Sequence, residues 1–107
     1  MNSFENIEDQ KLATLAQATL KRTGASQAAA LRDSTGRTYV AIAINTSELT
    51  LDAIQAVFTV AMASQISGIE ALVLTGNAKG STGIIHTHSP SASIFHIDES
   101  GEITALR

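Results

Sequence analysis

Between Glu8 and Lys21, Leu12, Leu15, Ala16 and Leu20 recur at three- and four-residue steps among mostly polar neighbours. That spacing puts them on one face of an amphipathic helix. Asn6 is suited to cap its start, Glu8 and Asp9 fall in the first turn, and Lys21 and Arg22 fall in the last. Each charge then opposes the helix dipole favourably. Gly24 follows where a stop is expected. Gln27–Leu31 and Thr38–Ile44 read as two strands joined by the turn signal Asp33-Ser34-Thr35-Gly36. The second is apolar from Tyr39 to Ile44, which predicts a strand covered on both faces.

A second helix is predicted over Thr50–Ile66, with Thr46-Ser47 as its cap and Gly68 at its end. It is apolar nearly all round (Leu51, Ile54, Val57, Phe58, Val60), so deep burial is expected, with Met62 in the core. Ile69–Thr75 follows as a buried strand and Gly76–Ser81 as a loop. Thr82–His88 fits either a short helix or a strand, and Pro90 interrupts what precedes it. Ile94–Ile97 and Glu102–Leu106 complete the series as strands joined by Asp98-Glu99-Ser100-Gly101. The order α-β-β-α-β-(α)-β-β predicts an α/β domain, a mixed five-stranded sheet with helices packed against it.

A length of 107 residues suits a single domain over 1–107. Hydrophobic residues make up 44% and aromatics only 4%, so the core is built mainly from Ala, Val, Ile and Leu. Such side chains each bury little area. A second subunit would add burial, and a homo-oligomer is expected. The net charge is −3 and no Lys/Arg cluster exists, which argues against nucleic acid as a partner. Every apolar stretch is far shorter than the roughly 20 residues of a spanning helix, which argues against a membrane. Met1 to Asp9 is polar and acidic, unlike a signal peptide, so a cytoplasmic location is expected. The absence of cysteine excludes disulfides, thiolate catalysis and Cys-based zinc sites.

Several local patterns follow one another in an order that resembles the cytidine deaminase-like family. They are Ala28-Ala29-Ala30-Leu31, the turn Asp33 to Gly36, Ala41-Ile42-Ala43-Ile44-Asn45, and Leu51-Asp52-Ala53-Ile54. Ala71-Leu72-Val73-Leu74, Ser81-Thr82-Gly83-Ile84-Ile85 and Gly101-Glu102-Ile103 complete the series. The resemblance implies a three-layer cytidine deaminase-like fold. In that family a ligand at a helix start and two cysteines of a Pro-Cys-x-x-Cys stretch hold zinc, and a Glu two residues after the first ligand moves the proton. Carried over, the first ligand is Asp52, the proton-moving Glu is Ile54, and the cysteines are Thr82 and Ile85. The family's ribose-gripping Asn and Glu fall on Ile42 and Ile44, and its aromatic before the first strand falls near Ala25. Isoleucine has no lone pair and a neutral threonine is a poor zinc ligand, so ordinary deamination is not expected. No cofactor is expected either.

His86-Thr87-His88 is the most suggestive polar cluster left. In a strand both imidazoles would face one way and, with Asp52, rebuild a two-His, one-carboxylate metal site. In a helix they diverge and are surface histidines. His96, between Phe95 and Ile97, reads as a half-buried sheet residue, and Asp52 as a favourable charge at a helix start. Gly76 to Gly83 lacks the Gly-Lys-Ser/Thr ending of a phosphate loop.

The sequence thus points to a catalytically inactive relative acting as a structural or interaction module. Self-association through the helix Thr50–Ile66 and an unidentified protein partner are expected. The alternative is a repurposed hydrolase or small-molecule binder, its pocket lined by Asp52, His86 and Thr82. Profilin-like and roadblock-like domains share the element order. The direction of Ile69–Thr75 beside Thr38–Ile44 is the feature that would separate them.

Overall fold

The stripe around Leu12 and Ala16 forms α1 (Ile7–Thr23) in the computed structural model, which describes residues 2–106. Asn6 Oδ1 accepts the Glu8 N–H at 2.9 Å, and Gly24, at φ 68°, ends the helix by donating its N–H to the Leu20 carbonyl. The remaining elements are β1 (Gln27–Asp33), β2 (Thr38–Ile42), β3 (Ile44–Asn45), β4 (Thr50–Leu51) and α2 (Ala53–Ala63). They are followed by β5 (Ile69–Gly76), α3 (Thr82–His88), β6 (Ser93–Ile97) and β7 (Ile103–Ala105).

Five strands form one sheet in the order β2-β1-β5-β6-β7. Only β5 and β6 run parallel; β1 is antiparallel to both of its neighbours, and β7 to β6. Period-two alternation divides the core between the two faces. Ala30, Val73 and Ile97 pack against Leu12, Ala13 and Ala16 of α1. On the other face Ala29, Leu31, Leu72 and Leu74 pack against Ile54 and Val57 of α2 and Ile85 of α3. The result is three layers, helix on sheet on helices, with β1 and β5 buried at the centre.

Four expectations are corrected here. Thr38–Ile44 is not one strand. Ala43 donates its N–H to Gln27 O at 3.2 Å, and the chain then leaves the sheet to pair β3 with β4. β2 is an edge strand, half-buried rather than covered on both faces, and β1 separates it from β5. The second helix begins at Ala53, not Thr50, because Asp52 rather than Thr46-Ser47 caps it. It ends at Ala63, before Gln65 turns to φ 61° and well ahead of Gly68. Nor is it buried all round. Val60 is 43% exposed, and Phe58 and Met62 are half-buried.

Two hairpin turns share one design. Asp33 Oδ1 accepts from the Thr35 N–H, Thr35 Oγ1 and the Arg37 N–H, at 2.7 to 2.9 Å. Asp98 Oδ1 repeats this with Ser100 N–H, Ser100 Oγ and Glu102 N–H at 2.6 to 2.9 Å. Gly36 and Gly101 sit at φ 91° and 92°, a conformation that costs a side chain but not glycine. Burial works against ionisation of Asp33, but hydrogen bonds from Thr35 and Arg37, with the Arg37 charge, outweigh it and hold the carboxyl below its usual range. Hydrogen bonds from Ser100 and Glu102 likewise lower Asp98.

On the α1 face, the buried Arg32 guanidinium gives Nη2 to Asp9 Oδ1 at 3.0 Å and Nε to Glu70 Oε1 at 3.3 Å. This ties α1 to β1 and β5. Among the described residues no helix is long and apolar enough to cross a membrane.

Candidate functional site

Asp52 immediately precedes α2, and its carboxylate accepts three hydrogen bonds. Oδ1 accepts the Gln55 N–H at 2.8 Å while Gln55 Oε1 accepts the Asp52 N–H at 2.9 Å, a reciprocal capping box. Oδ2 accepts two hydrogen bonds from Ser81, from Oγ at 2.6 Å and from N–H at 3.1 Å. Ser81 is the residue before α3, so the carboxylate ties the starts of two helices together.

Gln27, the first residue of β1, closes the same region from below. It is only 4% exposed. Its Oε1 accepts the Ala53 N–H at 2.9 Å, and its Nε2 donates to the carbonyls of Asn77 at 2.8 Å and Lys79 at 2.5 Å. The side chain thereby satisfies an orphan donor at the start of α2 and two carbonyls of the loop after β5.

Ile54, the second residue of the helix, is fully buried. Its Cδ1 lies 2.7 Å from where a Cβ at position 80 would stand, with Leu74 Cδ2 at 3.5 Å from the same point. Gly80 is therefore the residue that lets the isoleucine fit. Thr82 opens α3 half-buried, with its N–H on Gly80 O at 2.9 Å, and Ile85 one turn later is fully buried.

The four positions that the resemblance equates with zinc ligation and proton transfer do meet in space, at the starts of α2 and α3. Their donor set does not fit zinc. Two are isoleucines buried in the core, one is a neutral threonine, and Asp52 already accepts three hydrogen bonds. A cavity of about 260 Å³ remains beside Asp52, walled by Gln27, Asn45, Leu51, Asn77 and Lys79. Neither Thr82 nor His86 lines it, contrary to the pocket expected from sequence.

The segment Thr82–His88 is a helix, so His86 and His88, both exposed, diverge. His88 Nδ1 lies 2.8 Å from Ser89 Oγ, and its ring meets Phe58 edge-on with centroids 5.7 Å apart. The structure does not gather Asp52, His86 and His88, and among the described residues no three His, Cys, Asp or Glu side chains form a metal-binding group. His96 is buried in β6 with Nε2 2.8 Å from the Gly76 carbonyl.

Sequence reasoning missed Gln27 and Ser81. For Gln27 no local signal exists, since its partners lie 26 to 52 residues away. Asp52 with Gln55 three residues on is a capping-box pattern, and it would have placed the start of α2 correctly.

Comparison with known proteins gives one family and one fold. A family model described as "Cytidine deaminase-like" matches residues 5–101. No curated protein gives a match. Among solved structures, the cytidine deaminase from Bacillus anthracis superposes with a TM-score of 0.68, covering 94% of this chain and 84% of that one. The two are 15% identical in sequence, so what they share is the fold. The profilin-like and roadblock-like alternatives are thereby set aside.

Proposed function

We propose that this chain, which belongs to the cytidine deaminase-like family, no longer deaminates and serves as a self-associating, non-catalytic module. The observation that carries this is the filled centre of the site. Where the family's chemistry requires a metal and a proton carrier, this chain has a carboxylate spent on Ser81 and an isoleucine packed against Gly80. Zinc-bound water and a Glu are the parts that attack and protonate the base in such enzymes. Neither role has a candidate among Ile54, Thr82 and Ile85.

Self-association is supported by the face that α2 and α3 turn outward. A shallow groove of about 610 Å³ runs along Phe58, Ile84, Thr87 and His88, and on the other flank of α2 Val60 is 43% exposed. Neither helix contains an Asp, Glu, Lys or Arg. A second copy would therefore meet it without burying an unpaired charge. A cytoplasmic setting accords with a sequence that has no cysteine to oxidise.

Three measurements on purified protein test this. Incubation with cytidine, deoxycytidine and added zinc, followed by chromatography for uridine and deoxyuridine, is expected to show no turnover. Mass spectrometry without added zinc is expected to find less than about a tenth of an equivalent of metal. Light scattering is expected to give at least twice the chain mass, falling to one chain in a Val60→Asp, Ile84→Asp variant. Turnover, or near one equivalent of zinc, would overturn the loss of catalysis. A monomeric parent protein would overturn self-association.

A further inference from the structure

Across the sheet from Asp52, a half-enclosed cavity of about 710 Å³ lies where the last turns of α1 meet the end of β5 and the β6–β7 turn. The cavity beside Asp52 holds about 260 Å³. The larger one is in the size range of small-molecule sites, roughly 300 to 1,000 Å³. It also lies beyond the carboxyl ends of the two parallel strands, β5 and β6, the edge where open α/β sheets place ligands.

Its walls carry opposite charges. The helix contributes Gln17, Leu20 and Lys21, which share one face at three- and four-residue spacing. The facing turn contributes Asp98 and Glu99. Among the described residues no ion pair joins Lys21 to either carboxylate, so cation and anions stand apart across the opening. Asp98 is held in place by its turn: Oδ1 takes three hydrogen bonds from Ser100 and Glu102, and none of the three uses Oδ2. Gly76, at φ 90° and pressed against the Ser26 backbone, fixes the strand end on the same rim.

A site with separated charges of both signs, Asp98 among them held by its turn, and an apolar wall favours a ligand built the same way. We infer that this cavity binds a free α-amino acid as its zwitterion, the carboxylate towards Lys21 and the Gln17 amide, the ammonium towards Asp98 and Glu99. Leu20 provides apolar contact for the side chain. Simple cations or anions gain one half of this field and meet the other as repulsion. This goes beyond the non-catalytic module proposed above and does not depend on it.

The test is an amide-resolved NMR titration of the intact protein with each of the twenty common amino acids, singly, to about 10 mM, a range that detects millimolar affinity. At least one is expected to give saturable shifts confined to residues 17–21, 75–76 and 98–99. Its N-acetyl derivative and its carboxamide, each lacking one charge, are expected to bind at least tenfold more weakly. Lys21→Ala and Glu99→Ala, both at exposed positions, are each expected to weaken binding by about tenfold, or 1.4 kcal/mol. No saturable shifts with any amino acid would overturn the inference. So would equal binding of the derivatives, insensitivity to both variants, or shifts that map to Asn45, Asp52 and Lys79.

Discussion

Asp52 and Ser81 stand 29 residues apart and are joined by two hydrogen bonds, a 2.6 Å contact from the hydroxyl and a 3.1 Å contact from the backbone N–H. The same carboxylate caps α2. A charged acceptor makes such bonds stronger than neutral ones, at about 1.5 to 3 kcal/mol each. Ser81→Ala removes only the hydroxyl bond and is expected to cost about 1 to 2 kcal/mol in urea unfolding. Asp52→Ala also loses the cap, and is expected to cost at least 1 kcal/mol more. A Ser81→Ala protein as stable as the parent would show that the link is geometric only.

Gly80→Ala places a methyl 2.7 Å from Cδ1 of the fully buried Ile54. Overpacking of this kind costs about 1 to 3 kcal/mol. Ile54→Val removes the offending methyl. In a double-mutant cycle by thermal or urea unfolding, Ile54→Val is expected to recover at least half of that loss in the Gly80→Ala background. Additive effects would mean the two positions do not press on one another.

Asp33 has a carboxyl pKa below its ordinary value, so folding favours its ionised form. The stability it contributes is complete above the unfolded value near about pH 4 and is lost as the pH falls through the lower folded value. Asp33→Asn is expected to be less stable than the parent by about 1 kcal/mol at pH 7, with the difference shrinking below about pH 4. Unfolding curves of both proteins across that interval decide it. A difference that is constant with pH would remove the charge from the explanation.

Asp9→Ala leaves the Arg32 guanidinium with Glu70 as its remaining carboxylate partner, in a place where Arg32 is only 8% exposed. Losing one member of a buried pair costs about 3 kcal/mol or more. The joint change Asp9→Leu, Arg32→Met removes both charges and is expected to cost less than Asp9→Ala alone. The reverse order, measured by chemical denaturation, would mean that the pair itself and not the stranded charge sets the stability.

Much of this architecture is written locally. The Leu12–Leu20 stripe with Asn6 and Gly24 gives α1 within a residue or two, and both Asp-x-Ser/Thr-Gly turns form where their sequences place them. The errors arise where hydropathy was read without the backbone's needs. Tyr39 to Ile44 is uniformly apolar, yet a side chain does not reveal whether its strand is central or at an edge, and β2 proved to be at the edge. Thr50 and Leu51 fit a helical stripe but pair with Asn45 and Ile44 instead, because the cap at Asp52 sets the helix start. Of the site, the four positions compared with the family were found by sequence order. What fills the space between them was not, because Gln27, Asn77 and Ser81 meet only through the fold.

The packing of Ile54 against Gly80 also bears on how such a chain can change over generations. A carboxylate introduced at position 54 alone would enter a dry core among Leu74, Ile85 and Val57, with no partner and a heavy desolvation cost. A zinc ligand introduced at 82 or 85 alone would find no companions. The step at position 54 lowers stability before it confers chemistry, so the present arrangement acts as an evolutionary ratchet. Descendants of this sequence can drift at exposed loop positions far more freely than they can build a metal site here.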